Sequence, residues 1–206
     1  MSEDAALEIY RWLLRVQSRA MAASKNKQHA FNDYIYFAPG VSRLAARFRF
    51  SPDLAGLRFR FRAQGEGDWG ARLRQACTEV LRYHDMVMVW AADIPALPAG
   101  IFDQAVALYP QSVVTLARAG GTAFLSLAAE KFTPAVFEHV RWNTPAAGAD
   151  QLRALRNAGI SPVVRGKVTR LDQTKDFTRM LRELEAEQRT ADLEDFRQTI
   201  QKITEQ

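Results

Sequence analysis

The chain has 206 residues, 48% of them apolar, and carries a net charge of +5. No stretch approaches the roughly 18 consecutive apolar residues of a membrane span, and Cys77, the single cysteine, excludes an internal disulfide. The basic balance permits an anionic ligand without requiring one, and no groove-reading motif argues for nucleic acid.

That length suits one large domain or a domain with a short appendage. The opening "MSEDAALEIY" lacks a signal-peptide pattern, so a cytoplasmic, bacterial-type protein is expected. Residues 4–22 predict an amphipathic helix, with Ile9, Leu13, Val16 and Ala20 on one face. "YIYFA", residues 34–38, suits a strand stopped by Pro39-Gly40, and "SRLAARF" suits one or two helical turns. "LRFRFR" alternates, with Leu57, Phe59 and Phe61 inward and Arg58, Arg60 and Arg62 outward. An edge strand with protective charges is preferred for it; an anion-binding ladder is the sharper alternative.

"AQGEGDWG" is a glycine-rich loop opening into the helix "ARLRQACTEVLRYH". Glu66 and Asp68 stand at that helix start, where they would cap it or repel a phosphate; this is no Walker loop. "MVMVWA" and "SVVTLAR" are apolar throughout, as expected of strands covered on both faces. A helix is expected in "PAGIFDQAVALYP", with Pro98 near its start, and another in "TPAVFEHVRW", from Thr133 with Pro134 at the first helical position. "TAFLSLA" reads as strand or short helix. "GADQLRALRNAGI" is a helix closed by Gly159, and "PVVRGKVTRL" is strand-like. Two amphipathic segments follow, with a break near Arg189-Thr190. Leu193, Phe196, Ile200 and Ile203 form a stripe on the last of them that must bury against its own domain, a partner or a second copy.

Short apolar strands alternating with helices imply an α/β fold with a mostly parallel sheet. Ligands in such folds sit at the carboxyl ends of strands, where Asp93 and the Gly120-Gly121 pair both stand. Asp93 is either a metal-binding carboxylate or a turn residue capping its loop, and Gly120-Gly121 is either a tight turn or a ligand cradle. His29, His84 and His139 show no metal-ligand spacing.

Five stretches, in order, resemble the DUF2064 family of GT-A-type glycosyltransferase-like proteins, relatives of nucleotide-diphospho-sugar transferases. "QGEGDWGARL" resembles its glycine-rich turn and G-x-R-M helix start, and "VWAADIPALP" its strand ending in G-x-D-x-P-x-L. "TLARAGGTAFLSL" resembles P-x-x-D-G-G-Y-Y-L-x-G-L, "VRWNT" its W-x-T step, and "RLDQTKDF" its D-x-D-T-x-x-D-L. The resemblance implies a three-layer GT-A-like sandwich over residues 1–185, with residues 186–206 as a C-terminal helix packed on the domain or on a partner. It implies a nucleotide-sugar ligand touched by Arg72, Gly120, Gly121 and Trp142, and Mg or Mn held by Asp93 and Asp172.

The departures are as informative. The sequence starts at the helix after the family's first strand and phosphate loop, P-x-x-G-x-x-K-T-R-L. Ala119 stands where the family has Asp, Thr122 and Ala123 where it has two aromatics, and Arg170 where it has the first Asp of the last motif. Weak or lost transferase activity is therefore expected, with a non-catalytic binding or assembly module as the alternative and an upstream natural start as a third reading. Without the first strand, "YIYFA" is expected to pair directly with "MVMVWA".

Overall fold

A computed structural model describes residues 2–23, 31–38, 40, 42–54, 59–171 and 173–205. Asp172, His29, Leu57 and Arg58 lie outside the described residues.

The chain runs α1 (Glu3–Ala23), β1 (Tyr34–Phe37), α2 (Arg43–Phe50), β2 (Arg60–Ala63), α3 (Trp69–Leu81), β3 (Met86–Trp90), α4 (Ile101–Ala107), β4 (Ser112–Ala117), β5 (Thr122–Ala128), α5 (Ala147–Asn157), β6 (Pro162–Val168), α6 (Thr174–Ala186) and α7 (Thr190–Thr204). Four strands form a sheet in the order β3-β5-β4-β6. The β5 strand is antiparallel to both β3 and β4, whereas β4 and β6 are parallel. So β3, β4 and β6 share one direction, and their carboxyl ends lie along one edge of the sheet. The α/β character follows the alternation of apolar strands and helices; β5 makes the sheet mixed.

β1 does not pair with β3. Its ladder is parallel to β2, with Tyr34 opposite Arg60 and Phe37 opposite Ala63, and the two make a separate sheet. The reason is packing on both faces of that small sheet. Phe37 and Phe61 point into a cluster with Ala46 of α2 and Leu54. Tyr34 and Tyr36 point the other way, against the core that α3 shares with β3. A parallel pair needs a crossover, and α2 supplies it.

The main core has two halves. One joins Cys77 and Val80 of α3 to Val87, Val114, Leu125, Leu127 and Leu155. The other joins Ile101, Phe102 and Ala105 of α4 to Val113, Ala123 and Phe124. Burial on both faces explains why β4 and β5 read as continuous apolar runs.

The "TPAVFEHVRW" segment is helical only over a 3-10 stretch, Pro134–Phe137. Glu138 returns to extended backbone and His139 takes φ 56°, so the chain cannot continue the helix.

The terminal helices hold each other. Trp12 of α1 meets Phe196 of α7 edge-on at 4.8 Å, and Phe177 of α6 stacks on the same ring at 5.6 Å. Arg15 and Arg19 of α1 ion-pair with Asp195 at 2.8 and 2.7 Å. Within the C-terminal stripe, Phe196 is buried, Leu193 and Ile203 pack beside it, and Ile200 is exposed.

Candidate functional site at the carboxyl ends of the strands

Three strand ends meet at one place. Asp93 follows β3, Gly120 and Gly121 follow β4, and Arg170 follows β6. The segment after β6 crosses the tips of β4 and β5 and reaches the loop after β3, where the Leu171 amide donates to the Asp93 carbonyl at 3.0 Å. That crossing brings the Arg170 guanidinium to the Asp93 carboxylate, Nε to Oδ2, at 3.4 Å.

Gly121 lies against this crossing: a Cβ there would stand 3.6 Å from Arg170 Nη1. Gly120 has φ 101°, and a Cβ would stand 2.4 Å from Pro145 Cα. Only glycine combines that φ with so close an approach. The Thr122 hydroxyl is buried with no hydrogen-bond partner among the described residues.

The segment that touches Gly120 also carries Trp142. This indole packs beside Phe137 and over the start of α3, where a Cβ on Gly70 would fall 2.4 Å from its Nε1. Arg72, two residues on, donates from Nε to the Gly67 carbonyl at 2.9 Å and so closes the glycine-rich turn. Asp68 caps α3, its Oδ1 accepting from the Ala71 amide at 2.8 Å. Asp93, Arg170, Gly121, Gly120, Trp142 and the α3 start thus form one chain of neighbours along a single rim.

Two further residues hold this rim, one of them, Gln17, outside the sequence motifs. Gln17 of α1 is buried, and its amide donates to the Ala91 and Ile94 carbonyls on either side of Asp93, both at 2.9 Å. The Trp90 indole donates to the Ile94 carbonyl at 2.9 Å. The only signal of Gln17 in the sequence is a glutamine beside Val16 on the apolar face of α1. Partial burial, and then the negative charge of Asp93, push the Tyr10 phenol above its ordinary value.

Asp93 caps no helix, because the residue before α4 is Gly100. Among the described residues, no three of His, Cys, Asp and Glu gather into a set that could hold a metal ion. Asp172, the second carboxylate expected from the resemblance, lies outside the described residues. Cys77 is buried inside α3, where desolvation pushes its thiol up to about 12; it is packing, not a nucleophile.

A model of the bacterial family described as "Uncharacterized protein conserved in bacteria (DUF2064)" matches residues 21–144. The chain belongs to the DUF2064 family. The matched span contains the glycine-rich turn, Asp93, Gly120, Gly121 and Trp142; Arg170, α6, α7 and all but the last turn of α1 lie beyond it. This DUF2064 chain also superposes on a crystal structure from Desulfovibrio desulfuricans G20, described as a "putative nucleotide-diphospho-sugar transferase". The TM-score is 0.80 at 21% identity, over 100% of this chain and 87% of the other. At that identity the likeness is one of fold. No curated protein matches the chain.

Proposed function

We propose that this protein is a glycosyltransferase-like relative of the nucleotide-sugar transferases, with transferase catalysis weak or lost. In this reading its strand-end site takes the diphosphate of a nucleotide sugar directly on Arg170. The supporting observation is the Asp93–Arg170 pair: a guanidinium stands beside the carboxylate that the resemblance assigns to a cation.

A divalent cation would neutralise the diphosphate and assist the leaving group. Mg or Mn prefers several oxygen donors. The described donor set does not fit such an ion, since Asp93 faces a permanent positive charge. Arginine has the planar fork that suits a phosphate. Asp93 aims that fork, the Leu171 amide bond fixes the crossing segment, and glycine at 121 leaves room beside Nη1. One guanidinium binds charge but replaces only part of an electrostatic machinery. Loss of a single well-placed partner costs about 10²–10³ in rate, which is why weak or lost transfer is proposed.

Calorimetry with UDP, GDP and their sugars, with and without Mn²⁺, tests this reading. Binding is expected to be independent of Mn²⁺ and at least tenfold weaker in Arg170→Ala. Binding that requires Mn²⁺ would overturn the direct-contact reading. A flat response across the panel would favour the second reading, a binding or assembly module on the same scaffold. One feature favours that alternative: the groove between α6 and α7, lined by Leu181, Leu193, Phe196 and the exposed Ile200. Sedimentation at increasing concentration would report self-association through it.

A further inference from the structure

A second site lies at the opposite end of the molecule's strands. Tyr34 and Arg60 begin β1 and β2, and His84 stands two residues before β3. Asp93 follows the far end of β3, about 3.3 Å per strand residue away. Between these starting ends and the end of α3 is a cavity of about 420 Å³, lined among others by Asn32, Tyr34, Arg60, Tyr83 and His84.

The charges in this cavity do not balance. Arg62 pairs with Glu79 at 3.1 Å, and the same carboxylate accepts from the Tyr36 hydroxyl at 3.0 Å. Arg60 has no carboxylate partner among the described residues. Its Nη1 donates to the Tyr34 hydroxyl at 3.2 Å, and its guanidinium carbon lies 5.7 Å from the centre of that ring. The Tyr34 hydroxyl in turn shares a hydrogen bond with His84 Nε2 at 3.1 Å. Tyr34 thus links the cation to the imidazole. The register puts Tyr34 directly opposite Arg60 in the ladder, so this arrangement is fixed by the backbone.

An arginine has five N–H donors in a rigid fork. One of them is spent on Tyr34, and the rest of this exposed side chain is left to solvent or a ligand. A guanidinium held over an aromatic ring is pre-oriented, so less freedom is lost when it grips an anion. The Asn32 amide and the Tyr83 ring, 80% exposed, stand at the rim.

We propose that this cavity binds a small oxyanion, a carboxylate or a phosphate, on Arg60, with Tyr34 and His84 fixing its place. The alternation of "LRFRFR" is then more than protection of a sheet edge: Arg60 serves a ligand while Arg62 serves the fold. The site is separate from Arg170 and does not depend on how the strand-end site functions.

NMR titration with inorganic phosphate and, in parallel, with acetate at constant ionic strength tests the proposal through the His84 ring and Arg60 side-chain signals. Saturable shifts at both residues are expected with at least one anion, and the stronger of the two identifies the class. Arg60→Ala should weaken the response at His84 at least tenfold, and Arg60→Lys by less. Arg170→Ala should leave it unchanged. Tyr34→Phe keeps the ring under the guanidinium and guards against a folding artefact; it should weaken binding while the remaining spectrum stays dispersed. Shifts at His84 that grow linearly without saturating, or that persist in Arg60→Ala, would overturn the proposal.

Discussion

Arg170 Nε lies 3.4 Å from Asp93 Oδ2, although the two residues follow strands at opposite edges of the four-stranded sheet. The pair is partly exposed, so its own contribution to stability is small, about 0–1 kcal/mol. Its consequence is electrostatic: a carboxylate at a strand end acquires a fixed cation. Replacing that cation with a second carboxylate should reverse the site's preference. Arg170→Asp is expected to gain measurable Mn²⁺ binding by calorimetry, and the wild-type protein to show none at this site. Equal Mn²⁺ binding by the two proteins would contradict this.

The strand-end turn depends on Gly120. Alanine there combines a left-handed φ of 101° with a backbone contact of 2.4 Å to Pro145 Cα. Gly120→Ala should cost about 2–4 kcal/mol, from strain plus displacement of the 142–145 segment. Gly159, at φ 77° with nothing within 4 Å of a built Cβ, bears strain alone. Its alanine variant should cost about 1–2 kcal/mol. Urea denaturation of the two variants measures the difference, and equal losses would sink the contact argument.

Asp150 of α5 is buried and accepts from the Arg141 amide and side chain and from Arg153. These bonds, Arg141's first, hold its carboxyl well below the ordinary value of 3.8. A depressed folded-state value means that the contribution to stability is complete above pH ~4 and drains away as pH falls further. Asp150→Asn should lower stability near neutral pH and flatten the acid limb of the stability curve below pH ~4. Chemical denaturation as a function of pH reads both effects. An unchanged acid limb would show that Asp150 is not the group responsible.

How much of this was legible in the sequence depended on the range of the interaction. The apolar run of β4 announces a covered strand, and "GADQLRALRNAGI" announces α5 with Gly159 beyond its end, because these signals are local; the similar run of β3 forms an edge strand in which only Val87 is buried. Asp93 could be placed at a strand end for the same reason. Its partner could not: Arg170 reaches it only because the segment after β6 crosses two strand tips, and no spacing encodes that. The pairing of β1 with β2 was also hidden. Alternation in "LRFRFR" gives the faces of a strand but not its neighbour, and the neighbour was chosen by Phe37 and Phe61 sharing one small core. The sequence predicts a longer helix than the short 3-10 turn at Pro134–Phe137, because the end of that turn is set by His139 at positive φ. A sequence pattern does not display that.

The apolar face of the last helix centres on one ring. Phe196 is buried between Trp12 and Phe177. Phe196→Ala should cost about 3–5 kcal/mol and loosen α7 from α1. Hydrogen exchange should then quicken in α7 before it does in the central sheet. Uniform loss of protection across the chain would argue that α7 belongs to the same cooperative unit.

Direct binding of a diphosphate to Arg170 is tested by the affinity of the wild-type protein for UDP- and GDP-sugars, measured first in Mn²⁺ and then in EDTA, beside Arg170→Ala. At least one ligand is expected to bind with the same affinity in both buffers and at least tenfold more weakly to the variant. Affinity that vanishes in EDTA while surviving in Arg170→Ala would contradict it.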